Sequence, residues 1–235
     1  MPDAAPGAAP AGEGMDLAGR LRLDIVHGQL TPGQRLVELD LAAWYGSSRG
    51  AVRDALAVLA HEGLVERERN RGARVRPVSL AEAIEITEVR MVLEGLCAAK
   101  AAAAATREER AALRDVGRSI GAAVRTGDVV AYSAACQQVH TRVREIAAQS
   151  TVTGVLDRLR HQSVRYQFRV ALLPGRPAQG LKEHLAVVRA VAAGDADAAE
   201  EAMREHLRSV IDALHRLGDP AAPGGPGAGR HGALS

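Results

Sequence analysis

The chain has 235 residues, 47% of them apolar, which suffices for one large domain or two modest ones with a buried core. An aromatic content of 2% excludes the stacking platforms of RNA-binding sheets and single-strand binders, and a net charge of +2 confines any nucleic-acid contact to a local patch. Two cysteines, Cys97 and Cys136, make no disulfide framework and suggest a reducing cytoplasm, while the opening "MPDAAPGAAPAGEG" lacks a signal-peptide core and no run of about 18 apolar residues offers a membrane span.

Residues 1–14 and 218–235 are rich in Pro, Gly and Ala and are expected to be disordered tails. Between them lie two blocks, 15–77 and 78–217, joined at "RPVS", where Pro77 ends a strand-like run and Ser79 can cap a helix. The first block opens with a helix over 16–28, where Leu17, Leu21 and Ile25 recur four apart and Gly28 is a stop. Pro32-Gly33 fits a type II turn. A short helix over 38–45 follows, with Leu39, Ala42 and Ala43 facing inward and Gly46 ending it. Ser47 and Ser48 offer caps for a helix over about 48–62, stopped by Gly63, so the segment reads as a helix-turn-helix.

In its second helix Val52, Ala55, Leu56 and Leu59 form a buried stripe, and Arg49 and Arg53 lie together beside it. The N-terminal part of such a helix enters the DNA major groove, and arginine suits bidentate contact with guanine as well as phosphate. Gly50 leaves the backbone bare between them. A solvated, charged helix face is the plainer alternative. "LVERERNRGARVRP" then alternates around a glycine turn, predicting a hairpin with five arginines (67, 69, 71, 74, 76) against Glu66 and Glu68. A basic hairpin directly after a helix-turn-helix reads as a wing, with Arg71 and Gly72 at its tip.

The second block predicts about six helices: 79–105, 107–126, 128–148, 152–172, 178–193 and 196–217. His184 stands ten residues before Gly194 and His206 twelve after it, so an antiparallel hairpin brings both to nearly one height. His140 follows Cys136 by four residues on one face of a third helix. Three imidazoles and a thiolate would make a transition-metal site that favours zinc; helical histidines with unrelated hydrogen bonds are the alternative. Arg90 shares a helix face with Glu94, either to receive a carboxylate effector or simply as an i,i+4 ion pair.

These residues carry a resemblance. "IVHGQLTPGQRL" followed by "ELDLAAWYGSSRGAVRDALAVLAHEGLVERERNRGARV" resembles the winged helix of GntR-type bacterial transcription regulators across residues 17–77. That resemblance implies a DNA-contacting surface at Ser47, Ser48, Arg49, Gly50 and Arg53, with Arg71 and Gly72 at the wing tip; Gly50 and Ala51 stand where the family often has Pro or Thr. "EITEVRMVLEGLCAAKAAAAA" and "LKEHLAVVRAVAAGDADAAEEAMREHL" resemble the opening helix and closing helix pair of the all-helical FCD effector domain of the FadR-like branch. There a divalent metal is held by three histidines and an aspartate. His140, His184 and His206 match the histidines, Cys136 replaces the aspartate, and Val139 stands where an aromatic is usual. The arginine of the opening helix, here Arg90, often faces the effector cavity in such domains.

The expectation is therefore a mostly α protein: an N-terminal winged helix-turn-helix and an all-helical effector bundle. Its expected function is a cytoplasmic, homodimeric transcription regulator, by family habit a repressor, of a double-stranded DNA operator. A small-molecule effector, an organic acid in a metal-containing domain, would control it. A dedicated metal sensor is one rival. A helical metalloenzyme is another, though the sequence holds no nucleophile–base pair, paired catalytic carboxylates or phosphate loop.

Overall fold

The structure, a computed structural model, describes residues 16–68 and 72–218, so the expected tails, apart from Gly218, lie outside the described residues. The chain divides into two compact units: residues through Ser79 together with Asp157–Arg165 form one, and Leu80–Leu156 with the chain from Tyr166 onward form the other.

The first unit contains α1 (Leu17–His27), β1 (Arg35–Leu36), α2 (Glu38–Tyr45), α3 (Arg49–His61), β2 (Val65–Glu68) and β3 (Gly72–Val75). Asp16 caps α1 by accepting from the Gly19 amide at 2.7 Å. The Thr31–Gln34 turn closes with a 3.0 Å hydrogen bond from the Gln34 amide to the Thr31 carbonyl, and its third residue, Gly33, has φ +77°, as a type II turn requires. The chain then enters β1, which sequence reading left as the end of a turn. A two-residue strand has no alternation to read; its identity comes from β3, which pairs Arg35 with Arg74 and Leu36 with Ala73 and lies between β1 and β2. The β2–β3 hairpin pairs Val65 with Val75 and Glu66 with Arg74.

One expectation for α2 is corrected. Leu41 is the buried residue, whereas Leu39 is 62% exposed, Ala43 is exposed and Ala42 is half-buried. Eight residues make barely two turns, and apolar side chains on several faces give periodicity little to choose between. On α3, Val52, Ala55, Leu56 and Leu59 are buried as expected. They join Leu21, Ile25, Leu36, Leu41, Leu64, Val65 and Val75 in one core.

The second unit holds α4 (Leu80–Ala104), α5 (Arg107–Thr126), α6 (Val129–Ala147), α7 (Ser150–Ala171, whose middle groups with the first unit), α8 (Arg176–Ala193) and α9 (Ala196–Gly218). This agrees with the six expected helices. The breaks have local causes. Thr106 and Glu109 make a reciprocal capping box at the start of α5, and α8 ends at Gly194 in the left-handed conformation. α8 starts two residues earlier than expected because Pro177, at its first turn, needs no amide partner there. α4 packs along α9 and against α6 and α8, and α5 packs on α6 and α8. The core includes Leu113, Ile120, Val139, Val143, Val187, Met203 and Leu207.

The two leucines of α2 provide a test. Leu41→Ala should destabilise the first unit by about 2–5 kcal/mol, and Leu39→Ala by within about 0.5 kcal/mol. Urea unfolding followed by the single tryptophan, Trp44 on α2, reads this difference. Equal losses at the two sites would contradict the assignment of the buried face.

Candidate nucleic-acid interface and metal centre

In the first unit, α2 ends at Gly46 with φ +58°, a backbone that β-carbon-bearing residues rarely adopt, and the Ser47 amide donates to the Ala42 carbonyl at 3.0 Å. The Ser48 hydroxyl then accepts from the Ala51 amide at 3.1 Å and caps α3. With the buried stripe turned inward, Arg49, Gly50 and Arg53 are exposed on the first turns of α3. Gly50 is not a packing necessity: a Cβ there would meet only the Ser48 hydroxyl, at 3.8 Å.

Arg53 is oriented from α2. Its Nε and Nη2 donate to the two carboxylate oxygens of Glu38 at 3.2 and 3.0 Å. That hydrogen bond is the main reason the Glu38 carboxyl titrates below the usual range, and the charges of Arg53, Arg49 and Arg67 add to it. Glu38 is a residue that sequence reading missed, since the pair spans fifteen positions. In the wing, Arg74 and Arg76 are paired with Glu66 at 3.0 and 3.8 Å, leaving less free positive charge than the count of arginines suggested. Gly72 opens β3 with φ +89°; Arg71 lies outside the described residues.

In the second unit, His140 of α6, His184 of α8 and His206 of α9 converge. All three are buried, and one nitrogen from each lies within 4.8 Å of the others. Ring centroids are separated by 4.2 Å for His184 and His206 and by 5.2 and 5.4 Å for the pairs involving His140. Each Nδ1 has its own acceptor: the Glu94 carboxylate for His140, the Gly180 carbonyl at 2.7 Å for His184, and the Glu183 carboxylate at 2.8 Å for His206. A carbonyl or carboxylate can only accept, so Nδ1 carries the proton in each ring. The Nε2 lone pairs are left for a ligand. His184 Nε2 is buried and has no hydrogen-bond partner among the described residues. Three imidazoles of one tautomer, with an orphaned lone pair among them, fit a divalent metal.

Both carboxylates are themselves anchored. Arg90 donates to Glu94 at 2.8 Å, and Arg176 makes two hydrogen bonds of 2.9 Å to Glu183. Burial alone would raise both carboxyls. The charge of Arg90, with His140, nevertheless holds Glu94 well below the usual carboxylate range, and the hydrogen bonds from His206 and Arg176 bring Glu183 down to about 2. A cavity of about 80 Å³ borders the triad, lined among others by Arg90, Tyr132, Cys136 and Arg176. Arg90 thus both borders the cavity and forms the i,i+4 ion pair.

Cys136 also faces this cavity, but it is not among the donors that converge. Burial pushes its thiol up to about 12, against a hydrogen bond with Tyr132 that pulls the other way, so the sulfur is held as a neutral thiol. Glu183 and Arg176 are further site residues that sequence reading missed. Glu183 adjoins His184 in the chain yet serves His206 on the next helix, a pairing without a local signature.

Comparison with known proteins follows the same division. Residues 15–75 match the family described as "Bacterial regulatory proteins, gntR family", and residues 85–209 match the "FCD domain". The HTH-type transcriptional regulator BphR of Paraburkholderia xenovorans (strain LB400) is 30% identical over 85% of this chain and 84% of its own length. The HTH-type transcriptional repressor RspR of Escherichia coli (strain K12) is 25% identical over 84% and 86%. Among solved structures, E. coli McbR/YncC superposes with a TM-score of 0.75 at 20% identity, covering 86% of this chain and 96% of that one, and so shares the fold.

The buried triad makes the metal-free protein acid-labile. Burial, the largest cause, lowers His206 from 6.5 to about 4 and His184 well below 6.5. A histidine depressed on folding takes up its proton first in the unfolded chain. Its contribution is therefore complete above about 6.5 and is lost as pH falls toward about 4. Chelator-treated protein should lose on the order of 1–3 kcal/mol of stability across that window. His206→Gln, which cannot titrate, should flatten the fall in a pH series of melting curves. A wild-type profile already flat there would contradict burial of neutral imidazoles.

Proposed function

Because the chain belongs to the GntR family of bacterial transcription regulators and carries that family's FCD domain, we propose that it is a cytoplasmic, homodimeric repressor released from its operator by a small organic acid bound beside a divalent metal. The family and the relatives above are transcription regulators, not enzymes. Among the described residues, no helix is long and apolar enough to cross a membrane. Repression follows the name of the RspR relative.

One observation carries the effector half of this reading: three Nδ1–H groups are fixed by acceptors, and the free Nε2 side of the triad adjoins a cavity bordered by two arginines. His140, His184 and His206 would hold the ion, zinc being the choice for imidazole donors. Three neutral ligands would leave the double charge of such an ion uncompensated, and a carboxylate in the adjoining cavity would supply both charge and oxygen donors. Arg90 and Arg176 border the same space and have donors to share with it. About 80 Å³ restricts the acid to a few carbons. Cys136 could join a metal only by losing its proton, which a bound cation would promote. The presence of a cavity beside the triad favours an organic effector over a metal-only sensor.

The DNA half rests on Arg49 and Arg53 beside the bare backbone of Gly50, with Ser47 and Ser48 at the turn and Gly72 at the start of β3, and on Arg71, which the sequence alone suggests. Effector and operator binding are linked: whatever factor the acid removes from operator affinity, the operator removes from acid affinity.

Elemental analysis of untagged protein should find about one zinc per chain, retained in Cys136→Ala and lost in His184→Ala. Loss in both would place the thiol among the ligands, and no metal in the wild type would overturn the site. In gel-shift titrations, Arg49→Ala and Arg53→Ala should each weaken operator binding by about 1–3 kcal/mol and relax base preference. Arg71→Ala should weaken binding to all sequences more evenly. Unchanged operator binding by both α3 variants would refute the interface.

A further inference from the structure

The longest helix, α4, has two apolar faces. Its inner face buries Ala83, Ile86, Arg90, Glu94, Cys97, Ala98 and Ala101. Its outer face leaves Val89, Val92 and Leu96 48%, 51% and 39% exposed, on successive turns. These residues belong to a longer series, Glu85, Val89, Val92, Leu96, Ala99 and Ala103, spaced four, three, four, three and four apart. That alternation of four and three is the seven-residue repeat of a seam between two helices, where each side chain enters a hole on the facing helix. A solvated face would instead interleave charge along its centre. Ala99 is half-buried and Ala103 exposed, so the seam continues toward the C-terminal end of α4 with side chains small enough for close approach.

We propose that this outer face of α4 is the core of the homodimer interface, packing antiparallel on the same face of a second copy. The inference rests on the homodimer reading given above. A second copy is the fitting occupant because the series is self-complementary about its midpoint. Turned end for end, Val92 faces the partner's Leu96, Val89 faces the partner's Ala99, and Glu85 faces the partner's Ala103. One patch then serves both chains, as a two-fold contact requires. The distribution of charge selects the direction. Glu85 and Glu88 are exposed at one end of the stripe, and Lys100 at the other. A parallel pair would stack Glu85 on its own copy within the seam, a like-charge contact that opposes association. The antiparallel pair separates the carboxylates and brings Lys100 to the level of the partner's Glu88.

The test uses the full chain. Sedimentation equilibrium should give twice 24.7 kDa for the wild type and a monomer for the Val92→Glu, Leu96→Glu double variant, with unchanged helical circular dichroism because both positions are exposed. A double variant that remains dimeric beside a dimeric wild type would overturn the α4 interface and leave the homodimer reading intact. A monomeric wild type would overturn both. Cross-linking tests direction and does not depend on the double variant folding. Under mild oxidant, Glu85→Cys mixed with Ala103→Cys should give a disulfide-linked pair, and Glu85→Cys alone should give none. The unaltered chain, with Cys97 buried and Cys136 half-buried, serves as the blank. Self-linking of Glu85→Cys would show a parallel pair, and no linking in the mixture would place the contact elsewhere; either result overturns the proposal.

Discussion

The arrangement of the second unit depends on keeping three imidazoles buried together. A buried polar nitrogen left without a partner costs about 1–3 kcal/mol, and three rings present six nitrogens. The fold assigns each Nδ1 an acceptor drawn from a different place: Glu94 on the opening helix, Gly180 one turn earlier on the same helix, and Glu183 from the neighbouring helix. Two of these acceptors are charged, which burial would not tolerate alone, and each is matched by an arginine, Arg90 or Arg176. α4, α6, α8 and α9 must therefore meet in one register for any of these contacts to form. His184 Nε2, buried and without a partner among the described residues, lies where the three rings converge, and a cation is the ligand that such a position suits.

α4 links this centre to the rest of the unit. Arg90 and Glu94 project from its inner face, next to Val89 and Val92 on its outer face. The pair lies within a 25-residue helix, so a change in it is carried by a rigid element instead of being absorbed by a loop. The dimer seam proposed for the outer face would make ligation state in the cavity and the geometry between two copies properties of one helix.

How much of this was legible follows from the range of each interaction. The six helices of the second unit were readable because their ends are marked locally, by the Thr106–Glu109 box and by glycines such as Gly127 and Gly194. The α3 stripe was readable because thirteen residues complete enough turns for a period to emerge. α2, with eight, misled on Leu39, and β1 owes its existence to a partner almost forty residues away. The histidines could be placed by counting along two helices from Gly194. Their anchors could not, because Glu183 serves a ring on another helix. Cys136 shows how far counting reaches: one turn before His140 places it on the right face and in the cavity, but which atoms converge is decided by packing around the thiol, including the Tyr132 hydroxyl.

The same distinction between placement and chemistry applies to α3. Spacing put Arg49 and Arg53 on one exposed face, yet the two are not equivalent. Arg53 is already held by two hydrogen bonds to Glu38, so its guanidinium is ordered before any ligand arrives, and less rotamer entropy remains to be lost. Glu38 takes the Nε hydrogen and one Nη2 hydrogen, so the Nη1–Nη2 edge keeps its donors for a base or phosphate. On the DNA-binding reading proposed above, a guanine edge with two acceptors would fit that remaining fork, whereas a pyrimidine edge with a single acceptor would leave one donor to water. By fixing that fork, Glu38 would make Arg53 more selective than a free arginine at the same place. Arg49, at the first position of α3, only adds its charge to that around Glu38. On that reading the face would divide its work, one arginine for discrimination and one for attraction, and the difference would come from a residue on the preceding helix.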